Sequence, residues 1–99
     1  MKSIKKLIDK ISEELEDAEH YAEKYVECKA KNEPQKASRY AEMANDELKH
    51  AMYIHEWAVK EVDTISKIYT PPADMQEAYE KSHKKYAEKT AWIRQMLSI

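Results

Sequence analysis

Residues 31–36 read Lys31-Asn32-Glu33-Pro34-Gln35-Lys36, and this short stretch divides a chain that otherwise has few reasons to stop being helical. Asn tolerates the left-handed conformation that closes a helix, and Pro suits the first turn of the next one, where its missing N–H is no loss. A second break, Thr70-Pro71-Pro72, follows further along. The two breaks predict a single all-α domain over 1–99 with three long helices, at about 3–31, 35–69 and 73–97. Asp74 and Glu77 have the spacing of a capping pair at the start of the third. The second helix would be about three times the usual length of ~11–12 residues, which favours a long bundle over a compact globule.

Composition agrees. The 99 residues include no Gly, and 36% are charged. Without Gly, the phosphate cradles that need a close backbone approach are excluded, and hairpin-rich β folds are disfavoured. A mean hydropathy of -0.90 leaves little apolar surface for a private core, and chains this small often lean on partners or metals. The net charge of -2 gives no footprint for nucleic acid. The basic stretches at 1–6 and 84–89 are interleaved with acids or apolar residues and read as solvated faces. No apolar run approaches the ~20 residues of a membrane span, and no signal peptide is visible. Cys28 is the single cysteine, so no intrachain disulfide or Cys-x-x-Cys site exists; it reads as an inert small hydrophobe, and a reducing cytoplasm is the expected compartment.

The first helix carries two overlapping apolar seams: Ile4, Ile8, Ile11, Leu15, Ala18, Ala22, Tyr25, and Leu7, Ile11, Glu14, Ala18, Tyr21, Tyr25, Cys28. Glu14 intrudes into the second, about 70° from the centre of the stripe at 100° per residue. The main seam of the second helix is Ala37, Ala41, Ala44, Leu48, Ala51, His55, Ala58, Val62, Ile65. Beside it run Tyr40, Ala44, Glu47, Ala51, Ile54, Ala58, with Glu47 as the intruder, and His50 lies further round between Met43, Glu47, Ile54 and Trp57. The third helix has a narrower seam of Met75, Tyr79, Ser82, Tyr86, Ile93 and Leu97.

An intruding carboxylate is costly unless a cation is near, often 1–3 kcal/mol or more. An acid and a histidine at i and i+3 project from one helix face, where both reach one metal. Four histidines among 19 acids in 99 residues give about 0.8 such pairs by chance. The chain has three, Asp17/His20, Glu47/His50 and Glu80/His83. Asp17/His20 points away from the stripe and reads as surface. Glu47/His50, flanked by apolar residues, is the leading metal pair, and Glu80/His83 is secondary. His55, within the core seam, reads as a hydrogen-bonded core histidine rather than a ligand. The tyrosines and tryptophans read as amphipathic boundary residues, with Tyr21 singled out because it lies two turns from Glu14 on the same seam.

"EELEDAEHY" (13–21) followed by "NDELKHAMYIHEW" (45–57) resembles the ferritin-like superfamily, most nearly the encapsulated ferritins and more loosely the rubrerythrins. The resemblance covers about residues 11–57. It implies Glu14 as the ligand of the first helix, Glu47 and His50 as those of the second, Tyr21 close to the site and Trp57 on the same helix. It further implies a homodimer or higher homo-oligomer in which two helices from each of two chains complete a four-helix bundle around a di-iron centre, with manganese as an alternative metal. The activity implied is oxidation of Fe(II) by dioxygen or peroxide, with Glu14, Glu47 and His50 as the catalytic ligands. The alternative layout joins Glu80 and His83 to Glu14, Glu47 and His50 within one chain and lacks one carboxylate. The targeting tail of encapsulated ferritins has no counterpart after "QMLSI", and rubredoxin-like cysteines are absent. Two rival functions remain: a metal-free helical oligomerisation protein, and a di-manganese catalase or peroxidase-like protein.

Overall fold

The computed structural model describes residues 2–99, with the side chain of Lys2 left aside. Three helices account for nearly all of them: α1 (Lys2–Ala30), α2 (Pro34–Ile68) and α3 (Ala73–Leu97), with no strand among the described residues. The boundaries fall within about one residue of those the sequence predicts. Asn32 is the reason at the first turn. It takes φ 57°, the one positive φ among the described residues. Its own N–H reaches the Lys29 carbonyl at 3.1 Å, and the Glu33 N–H reaches the Cys28 carbonyl at 2.9 Å. That paired pattern is the Schellman closure, which satisfies the last carbonyls of α1 while turning the chain back. Pro34 then opens α2.

The expected capping pair of α3 is not formed. The N-cap residue is Pro72, with no side-chain cap hydrogen bond, and Asp74 lies inside the first turn. There its charge still meets the positive end of the helix dipole. Gln76 instead ties the turn by donating from Nε2 to the Pro71 carbonyl at 2.9 Å.

α1 and α2 run antiparallel and pack along most of their length, while α3 lies chiefly on α1 and barely meets α2. The bundle is a rod of 55 × 17 × 17 Å. Its core is built from Ile11, Leu15, Ala18 and Ala22 of α1 against Ala44, Leu48, Ala51, Ile54 and Ala58 of α2. The alanines let the two backbones approach closely, and the larger residues fill the remaining space. Ile4, Ile11 and Leu15 are essentially sealed from solvent, each worth about 1.5–3 kcal/mol of burial. The predicted seams of α1 and α2 are the buried ones, although His55, Val62 and Ile65 are half-buried toward the far end of α2. On α3 only Ile93 and Met96 are fully buried among the described residues. Met96 lies one position from the predicted Leu97, which is half-buried. Cross-links to α1 come from Lys89 Nζ to Glu19 Oε1 at 2.7 Å and from Lys85 Nζ to Ser12 Oγ at 3.1 Å. No helix among the described residues is long and apolar enough to cross a membrane.

Candidate metal centre

The face of the α1–α2 pair that carries Glu14, Glu47 and His50 holds the one group of three or more potential metal ligands among the described residues. One ligand atom from each lies within 4.8 Å of the others. Antiparallel packing explains the meeting. Glu14 stands at the edge of the α1 stripe, between Ile11, Leu15 and Ala18, and α2 crosses over it. Glu47 and His50, one turn apart on α2, arrive opposite. Exposure is graded through the cluster: Glu14 is 8% exposed, Glu47 half-buried and His50 exposed. The site has a closed floor and an open mouth.

His50 Nδ1 lies 3.5 Å from Glu14 Oε2 and 3.8 Å from Glu47 Oε2. Lys10 Nζ stands 3.3 Å from the other oxygen, Oε1, of Glu14. The two carboxylates form a coupled pair. The hydrogen bond with Glu47 holds Glu14 below its usual range, with Lys10 adding to that and burial opposing it. Glu47 is pushed up to about 7 by its hydrogen bond to Glu14, by burial and by the Glu14 charge. Two neighbouring carboxylates disfavour a second charge, so Glu47 holds its proton up to about pH 7 while Glu14 stays ionised.

The donor set fits a divalent transition metal. Carboxylate oxygens and an imidazole nitrogen suit iron, manganese and zinc. Ligand atoms about 2.0–2.2 Å from a common ion are at most about 4.4 Å apart, so a small side-chain rotation would bring this group onto one ion. A dication would also replace the Glu47 proton and remove the like-charge cost.

The other candidates lie elsewhere. Glu80 and His83 do not join the cluster: both are exposed on α3, and His83 Nδ1 is hydrogen-bonded to His55 Nε2 at 2.9 Å. The one-chain layout that adds them to Glu14, Glu47 and His50 is therefore not assembled, because α3 packs on the other side of α1. His55 has the hydrogen-bond partner expected of it, but half-buried beside α3 rather than within the core. Asp17 and His20 are exposed, as their position off the stripe requires. Tyr21 is half-buried and stacks near Tyr40, with ring centroids 6.4 Å apart, two helical turns along α1 from Glu14. Cys28 is a buried free thiol. Lys10 joins the site beyond the predicted ligands, at the i,i+4 spacing to Glu14 that makes such a pair reachable.

Around the mouth, Met43, Tyr53 and Trp57 of α2 are 40%, 48% and 58% exposed. They share the α2 surface with His50 at helical spacing, so the cluster opens onto an apolar rim. Comparison with protein families, with characterised proteins and with solved structures finds no match for the chain.

Proposed function

We propose that the chain binds divalent iron through Glu14, Glu47 and His50 and that two copies, packed face to face across this surface, oxidise it. The single observation that carries this reading is the convergence of two carboxylates and an imidazole from two helices onto one half-buried point. Their arrangement is costly unless a cation joins them. The apolar rim of Met43, Tyr53 and Trp57 supports a second copy as the cover, since a related pair of surfaces would bring two Glu and two Glu-x-x-His sets together. The resemblance of 13–21 and 45–57 to encapsulated ferritins points the same way.

Each residue has a distinct task. Lys10 and the partner hydrogen bond hold Glu14 charged at the floor of the site. Glu47 gives up its proton as the substrate ion enters. His50, at the mouth, is the first ligand an incoming ion meets. Fe(II) held there gives one electron per ion to dioxygen or peroxide. The same donor set accepts manganese, which makes a catalase or peroxidase-like reaction the neighbouring reading.

A second reading rests on Lys10. Its ammonium already partners Glu14, so the acids could serve only as buried-edge ion pairs of a metal-free helical oligomer. Glu47→Ala separates the two. The metal reading expects the variant to stay helical while losing Fe(II) binding and oxidation. Unchanged Fe(II) oxidation would place the chemistry elsewhere.

A further inference from the structure

α3 is held unevenly. Its fully buried residues, Ile93 and Met96, lie in its last turns, and the Lys89–Glu19 bridge to α1 is also in the last third. The first two thirds, 73–88, have no fully buried residue, with Tyr79 and Tyr86 half-buried against the core, and are bordered by open grooves on both sides. One groove, toward α2, is lined by Val62, Pro71, Met75, Tyr79 and Glu80. The other, toward α1, is lined by Ile8, Asp9, Ala78, Lys81 and Lys85 among others. What ties this segment to α2 is a pair of imidazoles. His55 and His83 are bonded nitrogen to nitrogen at 2.9 Å, with ring centroids 5.0 Å apart. Tyr86 stacks flat on His55 at 4.2 Å and 5°, and Tyr79 lies beside His83 at 6.4 Å.

We propose that the His55–His83 pair is a proton-sensitive latch that holds residues 73–88 of α3 against α2 at neutral pH and releases them on acidification. An imidazole–imidazole hydrogen bond needs one donor and one acceptor nitrogen. It survives with both rings neutral or with one proton added, and it cannot survive when both rings are cationic, since neither then has a lone pair to accept with. The second proton therefore breaks the bond and sets two like charges against each other.

The surroundings do little to oppose this. On α2, Glu56 attracts a proton to His55, but burial and the His83 charge act the other way and hold His55 below its usual range. On α3, Tyr86 stacks on His55 and Tyr79 lies beside His83, and Glu80 borders the groove toward α2. From α1, Asp9 borders the opposite groove, together with Lys81 and Lys85 of α3. Lys81 is paired with Glu77, and Lys85 donates to Ser12. The sign follows: a group with a depressed folded pKa contributes stability present above its unfolded value and lost as pH falls through the folded one. Opening swings 73–88 away on the anchored last third and exposes Val62, Met75 and Tyr79, which now line the crevice. This inference does not depend on the metal reading.

Hydrogen exchange of the full chain, read by peptide and corrected for the intrinsic pH dependence, tests it between pH 8 and pH 5. The expected result is protection lost in 73–88, with an opening equilibrium that grows by up to about tenfold per pH unit in the acid range, while 89–97, α1 and α2 stay protected. His83→Gln, which keeps a hydrogen-bonding side chain but carries no charge, is expected to abolish the pH dependence. Glu47→Gln is expected to leave it in place, which separates the latch from titration of the carboxylate pair. Unchanged protection of 73–88 at pH 5 would overturn the proposal. So would equal opening in His83→Gln, loss of the effect in Glu47→Gln, or a uniform loosening of all three helices.

Discussion

Glu14 and Glu47 face one another across the α1–α2 seam as a hydrogen-bonded pair of carboxylates, one held below its usual range and the other raised to about 7. The relationship is a consequence of packing. Glu14 is fixed by the burial of Ile11, Leu15 and Ala18 around it, and Glu47 by Ala44, Leu48 and Ala51.

The pair predicts an unusual pH profile for the metal-free protein. Glu47, raised on folding, contributes stability that is present below its unfolded pKa and lost as pH rises through about 7. Glu14, lowered on folding, contributes stability present above its unfolded pKa and lost as pH falls through the folded one. Thermal melts without metal should therefore show a maximum near the ordinary carboxylate range, a decline as pH rises to about 7, and a plateau above it. Adding Mn(II) or Fe(II) should restore the lost stability, most of all at and above pH 7, because the ion requires Glu47 ionised. A metal-free melt whose midpoint rises between about pH 5 and pH 7 contradicts the coupling.

Glu47→Gln should expose the conflict between stability and function. Removing the second charge is expected to stabilise the metal-free protein at pH 8, on the order of 1 kcal/mol, while abolishing metal binding. Chemical denaturation at pH 8 measures the first and calorimetric titration with Mn(II) the second.

Lys10 competes with any ion for Glu14, since its ammonium lies 3.3 Å from Glu14 Oε1. Replacing it by Gln is expected to tighten Mn(II) binding by about two- to fivefold at low ionic strength, with the gain fading in high salt. Calorimetric titrations at two salt concentrations measure it. Weaker binding in Lys10→Gln would mean that Lys10 supports the ligand geometry instead.

Ile93 is fully buried and is one of two such residues on α3. Ile93→Ala should cost about 2–5 kcal/mol and loosen α3 before the α1–α2 pair. Hydrogen exchange resolved by helix would show this as early exchange across 73–97, with α1 and α2 protected until global unfolding.

Most of the fold was legible because its signals are local. Asn32 and Pro34 mark the first turn by conformational preference alone, and the Ile, Leu and Ala seams of α1 and α2 follow the helical period. Where the sequence misled, the cause was tertiary. Asp74 and Glu77 have capping spacing, but consecutive prolines make Pro72 the N-cap, and Asp74 is left within the helix. His55 lies in a helical seam and His83 in an acid–histidine pair on another helix, yet they meet across the two, a relation that no spacing within one helix reveals. Glu14 and Glu47 are each legible as an acid at the edge of an apolar stripe, but it is the resemblance of 13–21 and 45–57 to encapsulated ferritins that joins them with His50. The role of Lys10 was readable too, at i,i+4 from Glu14, but it is one of many such pairs on a highly charged surface. α3 was the least legible, because its seam is narrow and only Ile93 and Met96 of its described residues are buried.

The most direct test of the central claim is native mass spectrometry after anaerobic loading with Fe(II), which reads assembly and metal count together. A dimer, or a multiple of it, carrying two irons per two chains is the predicted result, with both irons lost in Glu14→Ala and Glu47→Ala. An oligomer or monomer that takes up no iron would contradict the account and leave the metal-free helical module in its place.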